Sequence, residues 1–350
     1  MCGIWTIAKK KGFFQTATKT KEFWNIKNRG PDISLMKEIS TNDFNLWLGF
    51  HRLSIIDVTS KSNQPFIKKH KNKTFIFLCN GEIFNYKELI KKYNLEDSGD
   101  CKVLLNLIIK FPLKWKFLLD FEIKGEFAFV CYEIRDNNLF KIIVGRDQLG
   151  IRPLYYVKNK FIFSSEIKGI SNFSNIIEFP PGTINETNIN LNYTNVYSFK
   201  WIYRIKQIPS KEDIHLSEIV KNVKKAINLR LISDKPIGFL LSGGVDSSLV
   251  CAIATYFLRA PIHTFCIGIK DTGTDFKFAR SVAEKIKSHH TEVMFTVEEA
   301  INCLPEIIYA TETYDTTTIR ASIGQFLIAK YIKENTDIKV ILVGEGPDEV

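Results

Sequence analysis

The sequence predicts two domains of different class. An α+β domain rich in antiparallel strands takes residues 1–200, and an α/β doubly wound domain with a parallel sheet takes residues 201–350. Three observations lead there. The chain has 350 residues, and at roughly 100–200 residues per domain that is about two. Short apolar runs separated by turn residues fill the first part, as in hairpins and layered sheets. Beyond Asp213 strands and helices alternate, and the all-apolar run Val340-Ile341-Leu342-Val343 needs burial on both faces, as in a parallel sheet covered by helices.

In the first part, strands are expected at 46–53, 74–78, 126–132, 140–144, 154–157 and 161–164. Helical patches interrupt them at 87–93 and 101–110. Residues 182–198, rich in Asn and Thr and without periodicity, are expected to be a surface excursion that leads to a linker at 201–209. The second part predicts helices at 214–230, 247–258, 275–287, 297–310 and 319–333. Between them lie strands at 237–241, 262–269, 291–295 and 339–343. The chain stops at Glu349-Val350, where a helix should start, so more chain is expected to follow.

Composition excludes whole classes. A chain that is 45% hydrophobic and 13% aromatic can bury large cores, which argues against disorder, collagen-like repeats or a small disulfide scaffold. No apolar run reaches 18 residues, and no basic start precedes an apolar core, so neither a membrane span nor a secretory signal is expected. Residues 1–200 hold 30 basic against 19 acidic residues, and 201–350 hold 18 against 19, giving +11 and −1. The excess is lysine dispersed over the first part, which reads as a solvated surface and not a nucleic-acid or membrane face. Seven cysteines, none in a C-x-x-C pair and most within apolar runs, read as free thiols of a reducing, cytoplasmic protein.

Cys2 differs from the other six. If Met1 is removed, Cys2 carries a free α-amine with an ordinary pKa of about 7.7–8.0, which can serve as base for its own thiol. Other residues supply it with a substrate. The forked guanidinium of Arg52 suits an amino-acid carboxylate. Asn80 and Gly81, at a strand end, offer donors for an oxyanion, while Glu82 and Asp100 can accept from an ammonium. A second constellation is Leu240-Leu241-Ser242-Gly243-Gly244-Val245-Asp246-Ser247-Ser248, between an apolar strand and an apolar helix. Two glycines and a helix N-terminus suit a polyphosphate, and the Asp246 carboxylate suits Mg²⁺. Neither a Walker loop nor a dinucleotide G-x-G-x-x-G is present.

The segments CGIW at the start, NRGPD at 28–32, HRLSIIDV at 51–58, CNGEIFNYKEL at 79–89, GEFAF at 125–129 and GRDQLGIRPLYY at 145–156 closely resemble the class II glutamine amidotransferase domain. The fold this resemblance implies is the four-layer αββα sandwich of N-terminal nucleophile hydrolases. It also implies that Cys2 attacks the glutamine amide and that Asn80 and Gly81 form the oxyanion hole. Arg52, the Leu53-Ser54-Ile55-Ile56 segment, Glu82 and Asp100 would then clamp the amino-acid end. The Ser242–Ser248 loop resembles the pyrophosphate loop of ATP pyrophosphatases. The segments at 312–322 and 343–349 narrow the resemblance to the glutamine-hydrolysing asparagine synthetase family. By that resemblance Leu240, Ser242, Gly243, Gly244, Asp246, Ser247, Ile267, Val343 and Gly344 meet ATP, and Asp246 with Asp348 meets Mg-pyrophosphate. Thr317, Thr318 and Arg320 would bind aspartate, and Glu345 would lie at an aspartyl-AMP, deprotonating the attacking ammonia. Ammonia would travel internally from glutamine, giving asparagine, glutamate, AMP and pyrophosphate.

Three residues depart from the family pattern. Val343 stands where a small polar residue is common, Pro347 stiffens the glycine-rich loop, and Lys102 follows Cys101 where an acid is common. His289-His290 has no spaced acids or cysteines beside it and does not read as a metal site. The partners expected are small molecules, with no nucleic acid and no membrane, and a homodimer is left open. The rivals are a relative that amidates another carboxylate, against which the 314–322 segment argues, and a non-catalytic relative that binds glutamine or nucleotide only. Intact Cys2, Arg52, Asn80, Asp100, Asp246 and Asp348 argue against the second for a longer protein, and it stays open for the synthetase half of this chain.

Overall fold

The computed structural model describes residues 1–12, 19–96, 99–191, 193–199, 216–270, 273 and 275–345. The chain divides into two compact units, Met1–Ile208 and Pro209–Val350. The boundary expected at 200/201 and the linker at 201–209 lie outside the described residues, as do Pro347, Asp348 and the chain's last residues.

The first unit opens with β1 (Gly3–Lys10), α1 (Lys19–Asn25), β2 (Ile33–Ser40), β3 (Phe44–Arg52), β4 (Phe66–His70) and β5 (Lys73–Ile83). Then come α2 (Tyr86–Tyr93), α3 (Lys102–Lys110), α4 (Trp115–Phe121), β6 (Gly125–Arg135) and β7 (Asn138–Arg146). It continues through β8 (Tyr155–Val157), β9 (Phe161–Ser164), β10 (Ile176–Glu178), β11 (Thr183–Asn188) and β12 (Tyr193–Ser198). These strands form two antiparallel sheets, ordered β10-β8-β9-β1-β3-β2 and β12-β11-β7-β6-β5-β4.

Alternation along each strand builds the layers. In β1, Ile4 and Ala8 face the second sheet and meet Leu46, Leu48, Ile76, Leu78 and Val130 in a core between the sheets. Trp5 and Ile7 point the other way and pack on Phe23 and Ile26 beside α1. On the far face of the second sheet, Phe77, Phe129 and Cys131 meet Val103, Leu104 and Leu107 of α3. The order of layers is therefore helix, sheet, sheet, helix, the sandwich that the resemblance implies.

Residues 182–198 are not an excursion. β11 pairs with β7 and with β12, extending the second sheet by two strands. Their polarity goes with a half-exposed end of the sheet, of which β12 is the edge strand; in β11 Ile184 is the buried anchor and its neighbours are half-buried. A strand with one face in solvent loses the apolar signature by which strands are recognised. β2, another edge strand, and the short α4 escaped the sequence reading for the same lack of pattern.

The second unit holds α5 (Leu216–Arg230), β13 (Ile237–Leu240), α6 (Val245–Leu258), β14 (His263–Ile269), α7 (Phe276–Ile286) and β15 (His289–Phe295). α8 (Val297–Asn302), α9 (Leu304–Thr311), α10 (Thr316–Asn335) and β16 (Val340–Leu342) follow. One parallel sheet, β15-β14-β13-β16, carries helices on both faces. Ile227, Cys251, Ala254, Ala279 and Ala283 of α5 to α7 pack one face, and Ile328 and Ile332 of α10 pack the other. The single helix expected at 297–310 is two helices meeting at Cys303, with Pro305 in the first turn of α9. Proline has no N–H for a helix arriving from behind, so the second helix starts afresh there. No helix among the described residues is long and apolar enough to cross a membrane.

Candidate functional site

Each unit has a recess lined by residues singled out from the sequence. In the first unit, β1 pairs with β3 from Gly3↔His51 onward, so Cys2 falls at the strand end beside the chain leaving β3. Its thiol accepts the Leu53 N–H at 3.5 Å and donates to the Leu53 carbonyl at 3.7 Å. The Cys2 carbonyl accepts from Arg29 Nε at 2.9 Å, and Arg29 also reaches Glu166 at 3.2 Å. Burial pushes the Cys2 thiol above its ordinary value. Burial also brings the chain's α-amine, carried by Met1, down to about 6. The six other cysteines are buried and free.

Arg52, Leu53, Ile55, Ile56, Asn80, Gly81, Glu82 and Asp100 all line the recess beside Cys2. Ser54 lies behind this wall, its N–H held by Asp32 Oδ2 at 2.8 Å. Gly81 sits where a Cβ would come within 2.5 Å of the Glu126 carbonyl, so no side chain fits that strand position. Asn80 is 1% exposed, and among the described residues its Nδ2 has no hydrogen-bond partner. An orphaned buried amide donor normally costs free energy, and an incoming anionic oxygen would satisfy it.

Two acidic residues behave differently from each other. Asp100 accepts the Ile83 N–H at 3.0 Å, and burial raises its carboxyl to about 6. Glu82 is instead paired with Arg152 at 3.2 Å, and Arg152 also meets Glu126 at 3.2 Å. Arg52 is similarly committed to its surroundings. It donates to the Thr59 carbonyl at 2.6 Å, to Asn63 Oδ1 at 2.7 Å and to the Asp57 carbonyl. Three of its five N–H groups thus hold the 57–63 loop, and the guanidinium shapes the recess as well as lining it. Lys102, where an acid was expected, turns to Glu96 at 3.6 Å.

Sequence reasoning missed Arg29, Asp32, Gln64 and Arg152. The NRGPD and GRDQLGIRPLYY segments contain three of them, but only the fold shows that they brace Cys2, the 53–56 wall and Glu82. His51 is a further brace. It stacks on Phe23 at 4.0 Å, with Nε2 at 2.8 Å from the Phe23 carbonyl and Nδ1 at 2.8 Å from Ser34 Oγ. A carbonyl only accepts, so Nε2 carries the proton, and burial lowers the imidazole's pKa.

In the second unit the recess opens at the carboxyl ends of β13, β14 and β16, where the strand order reverses, and has a volume of about 780 Å³. Ligands of open α/β sheets bind at such a switch point. Leu240, Ser242, Gly244, Asp246, Ser247, Ile267, Val343, Gly344 and Glu345 line it. The loop closes on itself: Ser242 Oγ is 3.1 Å from Ser247 Oγ and accepts the Gly244 N–H at 3.3 Å. Gly243 has φ +88°, and a Cβ there would sit 2.5 Å from Phe278, so only glycine makes this turn. Gly244 caps α6, which places Asp246 in the first helical turn. Glu345 accepts from Gln325 Nε2 of α10 at 2.7 Å.

Thr317, Thr318 and Arg320 begin α10 and do not line this recess. Asp315 caps α10 by accepting the Thr318 N–H and hydroxyl, both at 2.7 Å, so the Thr318 hydroxyl is already engaged. Among the described residues no group of three or more His, Cys, Asp or Glu is placed to hold a metal ion.

Comparison with known proteins gives two family matches. The glutamine amidotransferase domain family matches residues 1–200, and the asparagine synthase family matches residues 218–350. A probable asparagine synthetase [glutamine-hydrolyzing] of Acanthamoeba polyphaga mimivirus is 36% identical over 93% of this chain and 62% of its own length. Asparagine synthetases [glutamine-hydrolyzing] of Zea mays and Homo sapiens are 34% and 33% identical over all of this chain, and over 59% and 66% of their own lengths. The chain therefore spans 59% to 66% of these relatives. Cys2 and its recess lie wholly within the first match, and the chain belongs to the glutamine amidotransferase domain family, with an asparagine synthase family match behind it.

Proposed function

We propose that this protein is a glutamine-hydrolysing asparagine synthetase, with residues 1–200 as the glutaminase and residues 201–350 as the synthetase part. One observation supports the glutaminase reading above others. The Cys2 thiol and the unpartnered Asn80 amide donor line one buried recess that also holds a carboxyl of raised pKa, Asp100.

In this reading, loss of Met1 frees the Cys2 amine, which takes the thiol proton as sulfur attacks the side-chain amide carbon of glutamine. Negative charge developing on the carbonyl oxygen meets Asn80 Nδ2 and the Gly81 backbone. Ammonia leaves, and water releases glutamate from the thioester. Asp100 takes the substrate's ammonium, and the uncommitted N–H groups of Arg52 take its carboxylate. The backbone of 53–56, braced by Asp32, completes the wall. Glu82 contributes through its pair with Arg152, because its charge is already compensated.

In the second unit, ATP takes the crevice formed by Leu240, Ser242 to Ser247, Ile267, Val343 and Gly344. Aspartate attacks its α-phosphate to give aspartyl-AMP and pyrophosphate. Thr317, Thr318 and Arg320 are assigned to aspartate, Thr317 and Arg320 carrying more of the recognition than the capped Thr318. Glu345, held by Gln325, takes a proton from the attacking ammonia. Asp246 offers the hard oxygen donor that Mg²⁺ prefers; with Asp348 it would hold the ion, which supplies charge neutralisation at the phosphates. The expected setting is the cytoplasm, with small molecules as partners and a homodimer as the assembly to test. Product analysis tests the whole reading: glutamine, aspartate and Mg-ATP should give equal amounts of glutamate, asparagine, AMP and pyrophosphate. Glutamate without AMP would restrict the proposal to the first unit.

A further inference from the structure

The ladder between β4 and β5 ends at the place that matters for the Cys2 recess. Phe66 pairs with Phe77, Ile67 with Ile76 and so on to His70 with Lys73. Two steps further back along the same ladder, Gln64 stands opposite Cys79, the residue immediately before Asn80. β4 starts only at Phe66, and what faces Cys79 is the Gln64 side chain. Gln64 Nε2 donates to the Cys79 carbonyl at 3.0 Å, and Gln64 Oε1 accepts the Cys79 N–H at 2.6 Å. Gln64 is 4% exposed and lines the recess with Cys2, Asn80 and Gly81.

A primary amide reproduces the donor and acceptor pair that an antiparallel neighbour presents. Pro65, next in line, has no N–H to continue a backbone ladder. The β5 edge therefore ends in an amide clamp at Cys79, and its next two residues, Asn80 and Gly81, face the recess.

We propose that Gln64 is the positioning residue of the oxyanion hole: it fixes the peptide of Cys79 and thereby aims Asn80 and Gly81 at the substrate carbonyl, without touching substrate itself. The proposal rests on the glutaminase reading above. It predicts a division of labour. The thiol stands just before β1 and is held by Leu53, and the amino-acid end is held by Arg52 and Asp100. Only stabilisation of the transition state passes through Gln64.

The test uses the whole chain with Gln64→Met, which keeps side-chain length and approximate volume while removing both hydrogen bonds. Three quantities are measured: kcat and KM for glutamine hydrolysis, the unfolding midpoint, and the rate at which iodoacetamide alkylates Cys2, read by mass spectrometry of the N-terminal peptide. Displacing a catalytic donor by about 1 Å can cost about a hundredfold, so kcat should fall by that order. KM should stay within about threefold, and the alkylation rate should not change. Unchanged kcat in a folded variant overturns the proposal, and so does a parallel fall in kcat and alkylation, which would place the fault at the nucleophile. If Gln64→Met does not fold, Gln64→Asn retains the amide on a stem too short to span both groups, and the same outcomes decide. A wild-type protein that hydrolyses no glutamine would overturn the glutaminase reading and this proposal with it. A wild type that does, with an equally active variant, overturns this proposal alone.

Discussion

The Cys2 thiol lies between the N–H and the carbonyl of Leu53, at 3.5 and 3.7 Å, so the segment that leaves β3 holds this thiol by its main chain. Nothing in that contact depends on the Leu53 side chain. A nucleophile set by backbone needs a rigid path for that backbone, which Arg52, Asp32 and His51 supply.

Cys2→Ala should abolish glutamine hydrolysis, to below about one-thousandth of the wild-type rate, while the fold is kept. Where asparagine is formed from added ammonia, that activity should remain, since its recess lies in the other unit. Retaining Met1, for example by inhibiting methionine aminopeptidase during expression so that Cys2 is unchanged, should mimic the loss, because the base would be locked in a peptide bond. Residual hydrolysis by purified Cys2→Ala protein would refute the nucleophile assignment.

Asp100→Asn should separate stability from binding. A carboxyl whose folded pKa is raised, here from 3.8 to about 6, binds its proton more tightly in the folded state. The wild type therefore loses stability as pH rises through that interval. Asparagine should raise the unfolding free energy above pH 7 by on the order of 2–3 kcal/mol, with the gain shrinking towards pH 4. Glutamine KM should rise at the same time. For the wild type, kcat/KM should decline as pH falls through about 6, when Asp100 ceases to offer a charge to the substrate ammonium. Urea unfolding at several pH values, together with glutamate assays, checks both signs.

Arg152→Met should be costly for a different reason. It leaves Glu82 and Glu126 both largely buried without their cation, a loss of about 3–5 kcal/mol. Adding Glu126→Gln removes one of the two carboxylates that Arg152 had faced and should restore part of that stability. Simple additivity of the two changes in a double-mutant cycle would show that Arg152 and Glu126 are not coupled.

Asp246→Asn keeps the shape of the first turn of α6 but removes a charge. Mg-ATP binding, measured by calorimetry, should weaken by about tenfold or more, roughly 1.4 kcal/mol, with glutamine hydrolysis unaffected. Unchanged affinity would mean that the Ser242 to Ser247 turn is only a strand-to-helix connection. Gly243→Ala, by contrast, should damage the second unit itself, because alanine must adopt φ +88° against Phe278.

What the sequence determined by itself is the set of residues whose chemistry leaves a local mark. Cys2 next to a strand, the Asn80-Gly81-Glu82 strand end and the Ser242 to Ser247 turn each combine a reactive type with a local backbone pattern. The alternating and all-apolar runs likewise marked the inner strands, since burial on one or two faces constrains every residue of the run. Tertiary structure alone decided the partnerships. That Glu82 is neutralised by Arg152 depends on two segments 70 residues apart meeting, and ion pairing leaves no periodic trace. The edge strand β12 and its neighbour β11 went unrecognised because solvent on one side relaxes the apolar rule. The Gln64 clamp was invisible for a further reason: its meaning lies in a register, the place where a side chain substitutes for a strand, and a register exists only once two strands have met.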